Sequence, residues 1–175
     1  MATIIDKTVF VGDIHLSKSQ YDNIDTFVAK FEPIVLIYLL GEPLYRLMQN
    51  NATQEPYKSL VEGSDYIVKV NNQELTIHYP GLANLIAYYV YCEYQRHNVT
   101  STQSVGEVKS KQENSYNADV NLKVFSAWAK FEELYGYLGQ SVTSPSAYHY
   151  LYKNKELFPS WIFTDLRGSI NSHDL

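Results

Sequence analysis

Leu82-Ala83-Asn84-Leu85-Ile86-Ala87-Tyr88-Tyr89-Val90-Tyr91-Cys92-Glu93-Tyr94 is apolar or aromatic at every position except Asn84 and Glu93. At helical pitch Leu82, Leu85, Ile86, Tyr89 and Val90 cover one face, and Ala83, Ala87, Tyr88, Tyr91 and Tyr94 cover the other. A helix apolar on both sides must be surrounded by other elements, so this stretch is expected to be the central helix of the domain. Gln95, Arg96 and His97 follow it, the cations suiting the negative pole of a helix C-terminus. Residues 98–117 are polar, with Val99 and Val105 widely spaced, and they carry no helical period. Compact domains rarely hold a structureless loop of about twenty residues unless it serves a purpose. From Asp119 the period returns, with Val124, Phe125, Trp128, Phe131, Tyr135 and Leu138 in one stripe and Gly139 as its stop. The pattern predicts two packed helices carrying a long extended arm between them.

Upstream, residues 3–5 and 8–11 are short apolar runs that read as extended strands, broken by Gly12-Asp13. Ser17 with Gln20 has the spacing of a capping box. Ile24, Phe27, Val28 and Phe31 keep helical spacing into the apolar run 34–40, and Pro33 either kinks this helix or starts a second one. Gly41 suits a C-terminal stop, and Pro43 the first turn of a short helix facing Leu44, Tyr45, Leu47 and Met48 inward. Residues 50–53 read as a loop, and 55–61 as a short helix ended by Gly63. Residues 66–70 and 74–78 alternate around Asn71-Asn72, the pattern of a small β-hairpin. Pro80-Gly81 turns the chain into the central helix. Residues 145–152 suggest a last short helix. Phe158, Trp161, Ile162 and Phe163 form an aromatic tail that must pack on its own core or on a neighbour. Residues 167–175 are polar and expected to fray. The fold class is therefore mainly α: a helical bundle in one domain over residues 1–175, with a small β-hairpin, short N-terminal strands and the arm.

At 175 residues the chain can bury a core without staples. Sixteen tyrosines among 45% hydrophobic residues are the oddity of composition, since Tyr serves both cores and protein interfaces. A net charge of −5 argues against a protein that grips phosphates. Cys92 stands alone, which excludes an internal disulfide and a multi-cysteine zinc site and leaves a small buried hydrophobe as the simplest reading. The first residues lack the basic-then-apolar layout of a signal peptide, and no apolar run reaches the roughly 20 residues of a bilayer span. Synthesis and residence in a cytoplasm, without membrane contact, is the expectation.

Among motifs that carry chemistry, Gly12-Asp13-Ile14-His15 after an apolar run resembles the first metal motif of calcineurin-like metallophosphoesterases. Two-metal hydrolysis needs further ligands, because two ions must clamp the attacking and leaving oxygens. No Gly-Asn-His or Gly-His-x-His occurs, and His78, His97, His149 and His173 each stand alone. The simpler reading is a turn stabilised by Asp13. No nucleophile elbow, phosphate loop or His-Glu-x-x-His is present. Glu132 and Glu133 read as a solvated face and His97 as a capping cation. The sequons at Asn51 and Asn98 matter only in a secreted protein. No catalytic residue, cofactor or metal is expected. What is left is the arm, rich in Thr and Val with Gly106 as a pivot. Such a segment can add a strand to another chain's sheet, stay a mobile surface loop, or fold as a hairpin on its own domain.

Phe31-Glu32-Pro33, followed by Leu39-Leu40-Gly41-Glu42-Pro43-Leu44-Tyr45, resembles the N-terminal helices of small head–tail connector proteins of tailed bacteriophages, those of Bacteroidetes-infecting, crAss-like phages in particular. Tyr88-Tyr89-Val90-Tyr91-Cys92-Glu93-Tyr94-Gln95-Arg96, Val105-Gly106-Glu107-Val108-Lys109, Glu113-Asn114, Trp128 and Phe163-Thr164-Asp165-Leu166 extend the resemblance over residues 10–166. It implies a non-enzymatic virion protein at the head–tail junction. Such proteins form a ring beneath the portal, follow the portal's twelve-fold symmetry, extend the DNA channel and offer the tail a docking surface. The expected partners are further copies of the chain, the portal and neighbouring tail or ring proteins, with DNA passing unbound. An acidic surface suits a channel through which phosphates must slide. Neighbour contacts are expected from Thr102, Val105, Glu107, Val108 and Lys109 in the arm, and from Tyr148, Tyr150, Trp161 and Phe163 in the C-terminal segment. The rivals are a metal-dependent phosphoesterase using Asp13 and His15, and a regulatory module binding a protein through its aromatic tail.

Overall fold

The computed structural model describes residues 3–16, 23–103, 106–109 and 120–166, with 98–103, 106–109, 120 and 121 as backbone alone. Among the described residues, six α-helices run in chain order: α1 (Ile24–Leu40), α2 (Glu42–Asn51), α3 (Tyr57–Glu62), α4 (Leu82–Val99), α5 (Val120–Tyr135) and α6 (Ala147–Lys153). Two antiparallel hairpins accompany them: β1 (Ser64–Val70) with β2 (Gln73–Tyr79), and β3 (Thr100–Gln103) with β4 (Gly106–Lys109). The chain is mainly helical, as the periodicity predicts.

The central helix is where the apolar run places it. α5 and α1 pack along α4, α3 meets it, and the N-terminal segment adds further contacts. Leu82, Leu85, Ile86, Ala87, Tyr89, Val90, Tyr91, Cys92 and Tyr94 are all buried, so both faces are covered. Each buried Leu, Ile or Val contributes about 1.5–3 kcal/mol relative to exposure. α5 is different, because it buries one side. Ala127, Trp128, Phe131, Leu134 and Tyr135 are buried, whereas Phe125 is 55% exposed and Leu138 is 81% exposed. Both belong to the expected stripe and lie outside the core. α5 ends at Gly136 (φ 78°), three residues before the expected stop at Gly139, and this carries Leu138 off the helix into a turn.

α1 passes through Pro33 as a single helix. Its end and the start of α2 share Gly41 (φ 75°), whose N–H donates to the Ile37 carbonyl. A Cβ at Gly41 would stand 2.9 Å from Cβ and O of Ile162, so backbone angle and close approach both demand glycine. In α2, Leu44, Tyr45 and Met48 face inward as expected, while Leu47 is exposed, and the helix continues through Asn50 and Asn51.

The β1–β2 hairpin follows its alternation closely. Val70 pairs with Gln73 across a two-residue turn, and Asn71 (φ 50°) and Asn72 (φ 63°) both adopt the left-handed conformation that such a turn requires. Tyr66, Val68 and Tyr79 point into the core. On the outer face, Asp65 faces His78 at 2.7 Å and Lys69 faces Glu74 at 3.2 Å.

The expected N-terminal strands at 3–5 and 8–11 are not formed. The segment instead makes two single-turn 3-10 helices, Lys7–Val9 and Gly12–Ile14. Two local causes are visible. Asp6 accepts hydrogen bonds from N and Oγ1 of Thr8 (2.7 and 2.5 Å), which curls the chain where a strand would continue. The buried residues, Ile5, Phe10, Ile14 and Leu16, do not alternate, and they insert into the helical core. The Ser17–Gln20 capping pair and residues 167–175 lie outside the described residues.

Candidate functional site

The arm begins where α4 ends. Arg96 pairs with the buried Glu93 carboxylate at 3.1 Å, and His97 Nδ1 meets the Glu93 carbonyl at 2.7 Å, the capping position expected for it. The His97 ring also packs against Phe27 and Phe31 of α1 (5.6 and 5.5 Å between centroids), which ties the end of α4 to its neighbour. The chain passes from Val99 into β3 with no intervening loop. β3 and β4 then pair in register: Thr100 with Lys109, Ser101 with Val108, Thr102 with Glu107, and Gln103 with Gly106. The arm is thus a hairpin over these residues, one of the forms open to it from its composition. Of the expected contact residues, Thr102 and Glu107 stand directly opposite each other, Val108 and Lys109 follow on β4, and Val105 lies outside the described residues.

The C-terminal aromatics fold back onto this chain. Trp161 Nε1 donates to the Leu39 carbonyl (2.8 Å), and the N–H groups of Ile162 and Thr164 donate to the carbonyls of Leu40 and Tyr38. These bonds satisfy carbonyls at the C-terminal end of α1, which an α-helix leaves without internal partners. Tyr135 Oη donates to the Thr164 carbonyl at 2.8 Å. Tyr148 meets Trp161 and Phe163 edge-on (5.5 and 4.8 Å), and Tyr150 stacks on Tyr79 at 4.4 Å. Tyr148 and Tyr150 are buried within one copy of the chain, whereas Trp161 and Phe163 remain half-buried.

The Gly12-Asp13-Ile14-His15 segment is a turn whose Asp13 is already engaged. Both carboxylate oxygens accept from Tyr88 Oη of α4 at 2.9 Å, so Asp13 fastens the turn to the central helix. Burial and the neighbouring carboxylate together push the Tyr88 hydroxyl up to about 12. Ile14 is buried and His15 is exposed. Among the described residues, no group of three or more His, Cys, Asp or Glu is placed to hold a metal ion. Cys92 is buried, its thiol directed at the Val124 carbonyl and pushed up to about 12 by burial.

Glu32 and the Ser146–His149 pair, buried in the core, escape a reading by periodicity. Glu32 is buried beside Pro33, and its carboxylate accepts from the N–H groups of Ile4 and Ile5 (2.8–3.2 Å). It thereby supplies the acceptors that a partner strand would have offered. Burial raises its carboxyl above the ordinary range, and the two N–H groups oppose that shift. His149 is buried against Ser146, with Nδ1 and Oγ 2.8 Å apart. A carboxylate within an apolar helical run was the available signal for Glu32. Ser146 three places before His149, at the N-cap of α6, was the signal for the second pair.

Among the described residues no helix is long and apolar enough to cross a membrane. No family model matches the chain, and no match is found among curated proteins or solved structures.

Proposed function

We propose that this chain is a structural, non-enzymatic protein of a tailed bacteriophage that assembles head-to-tail into a closed ring at the head–tail junction. It docks beneath the portal, extends the DNA channel and bridges to tail proteins. The reading rests on the resemblance of residues 10–166 to such connectors. The observation that carries it is the placement of β3–β4. This hairpin is inserted between the two long helices α4 and α5, and each of its strands is paired on one side only among the described residues. Backbone groups along such an edge are available for strand addition by a neighbouring copy. The contacts assigned to neighbours are Thr102, Val105, Glu107, Val108 and Lys109, with the half-buried Trp161 and Phe163 completing the surface. Assembly takes place in the host cytoplasm and the product resides in the virion. The net charge of −5 suits a channel wall that lets DNA slide.

Native mass spectrometry of the purified protein, alone and mixed with portal, tests this. The expected result is a metal-free ring, or a ladder of oligomers growing toward one, on at least one of the two samples. Two tightly held metal ions would transfer the reading to a phosphoesterase using Asp13 and His15. Deleting residues 103–112 is expected to leave a folded monomer that no longer assembles. Unfolding of that variant would make the arm part of the core.

A further inference from the structure

Two exposed apolar features are left unused by the core, one on α5 and one just after α6. Leu122 (66% exposed) and Phe125 stand at the start of α5. With the exposed Ala129 and Glu133 they recur at intervals of three and four residues, and so share one face, opposite the buried Phe131. The second feature is a pocket of about 550 Å³ lined by residues 152–157 and Pro159. Tyr152 (57% exposed), Leu157 (53% exposed) and Pro159 are its apolar walls, and Lys153, Lys155 and Glu156 its exposed charges. Its backbone is fixed from within. Asn154 Nδ2 donates to the Tyr150 carbonyl at 2.8 Å, Leu157 N donates to Asn154 O, and Phe158 is fully buried beneath it. The two features do not meet within one copy, since Leu122, Phe125, Tyr152 and Leu157 are each more than half exposed. At its other end α5 joins the C-terminal tail, where Tyr135 packs on Phe163 and Phe163 on Tyr148 of α6. Phe125 lies roughly 15 Å back along the helix from that junction.

We propose that Leu122 and Phe125 of one copy insert into the 152–159 pocket of the next, joining two different surfaces of the same chain. Shape and charge both favour a second copy as the occupant. The pocket is wide enough for an aromatic ring and an aliphatic side chain together, with the Tyr152 ring for Phe125 and Leu157 and Pro159 for Leu122. Lys153 and Lys155 outnumber Glu156, so its rim is basic on a chain whose net charge is −5. The knob face of α5 continues into Glu133, with Glu132 beside it, and these carboxylates face that rim when the knob is seated. Lys123 and Lys130 lie to one side of the face, and Lys130 is bonded to Glu133 at 2.8 Å. The knob also follows the arm in the chain, so arm and knob extend one contact surface. Because the two halves of the contact differ, each copy offers both a knob and a pocket. Such a contact propagates head-to-tail, and closes into a ring where the rotation between copies allows. The inference deepens the ring reading and rests on it for that closure.

The test places photoreactive benzoylphenylalanine at position 125 of the full chain, alone and mixed with portal. Labelled and unlabelled copies are combined, so that mass spectrometry separates cross-links between copies from those within one. The expected product joins position 125 to residues 152–159 of a different copy. Phe125→Ser is expected to weaken self-association by about thirtyfold or more in sedimentation, as loss of an interface anchor does, while leaving the unfolding midpoint of the isolated chain in place. Lys153→Glu with Lys155→Glu should also weaken association, and adding Glu132→Lys and Glu133→Lys should restore part of it. Oligomers in which position 125 cross-links to another part of the neighbour overturn the proposal and leave the ring reading standing. A knob-to-pocket cross-link in an open filament supports the contact and removes the ring. Cross-links confined to one copy, or association unchanged in Phe125→Ser, overturn the contact. Monomers in both samples overturn the contact and the ring together.

Discussion

α4 and α5 pack against each other along most of their lengths, yet they are built on different plans. α4 is covered on every side, so nearly every position on it between Leu82 and Tyr94 is a core position. α5 is a flanking helix. Its buried residues follow the interface with α4, while Leu122 and Phe125 face outward at its start. The difference teaches that apolar content alone does not say how many sides of a helix are buried. The density of the run does. α4 has almost no polar residue with which to meet water, and α5 has Lys123, Ser126, Lys130, Glu132 and Glu133 to spare.

Truncations measure how far the two plans differ. Phe131→Ala, at a fully buried position on α5, is expected to destabilise by about 3–5 kcal/mol in denaturant unfolding. Leu85→Ala on α4 is expected to cost about 2–5 kcal/mol. Because α4 is surrounded, Tyr91→Ala on the opposite face of the same helix should cost a similar amount. If either α4 truncation were tolerated, one side of that helix would be open and the contrast would collapse.

A smaller effect is expected at the segment that covers the bundle from the N-terminal side. Glu32→Ala leaves the N–H groups of Ile4 and Ile5 without acceptors, at a cost of about 1–3 kcal/mol. Its pH dependence has a defined sign. Burial raises the folded-state carboxyl above 4.5, so the stabilisation linked to its protonation is full below 4.5 and is lost as the pH rises through the raised value. Glu32→Gln should erase that slope, and an identical pH–stability profile for wild type and Glu32→Gln would contradict it. The smallest effect is expected at Phe125→Ser, within about 0.5 kcal/mol for the isolated chain. A cost at Phe125 approaching that at Phe131 would mean that α5 is buried on two sides after all.

Much of this fold was legible because its signals are local. The alternation about Asn71-Asn72 gives the β1–β2 register, and the run from Leu82 gives α4. Gly41 and Gly63 mark helix ends by the backbone angles they adopt. The N-terminal segment was misread because short apolar runs carry no information about whether a partner strand exists. Here a side chain 28 positions away, Glu32, takes the partner's place. Leu138 was drawn into the stripe of α5 because the period was carried past the point where Gly136 ends the helix, whereas Phe125 lies within the helix at apolar spacing and faces outward. The candidate contact surface was legible only as a composition. Thr, Val and Gly in the arm are compatible with a hairpin, but the pairing of Thr102 with Glu107 depends on where the turn falls. Asp13 was assigned to its own turn, and its actual partner, Tyr88, is 75 positions away, beyond the reach of spacing arguments.

The direct passage from α4 into β3 has a mechanical consequence. At about 1.5 Å per residue, the 18 residues of α4 form a rod roughly 27 Å long. With no loop between them, rod and hairpin make a lever whose shaft is held by α1, α5, α3 and the N-terminal turns. A pull on the hairpin is therefore delivered to the centre of the core and shared among all its neighbours, instead of being absorbed by slack in a linker.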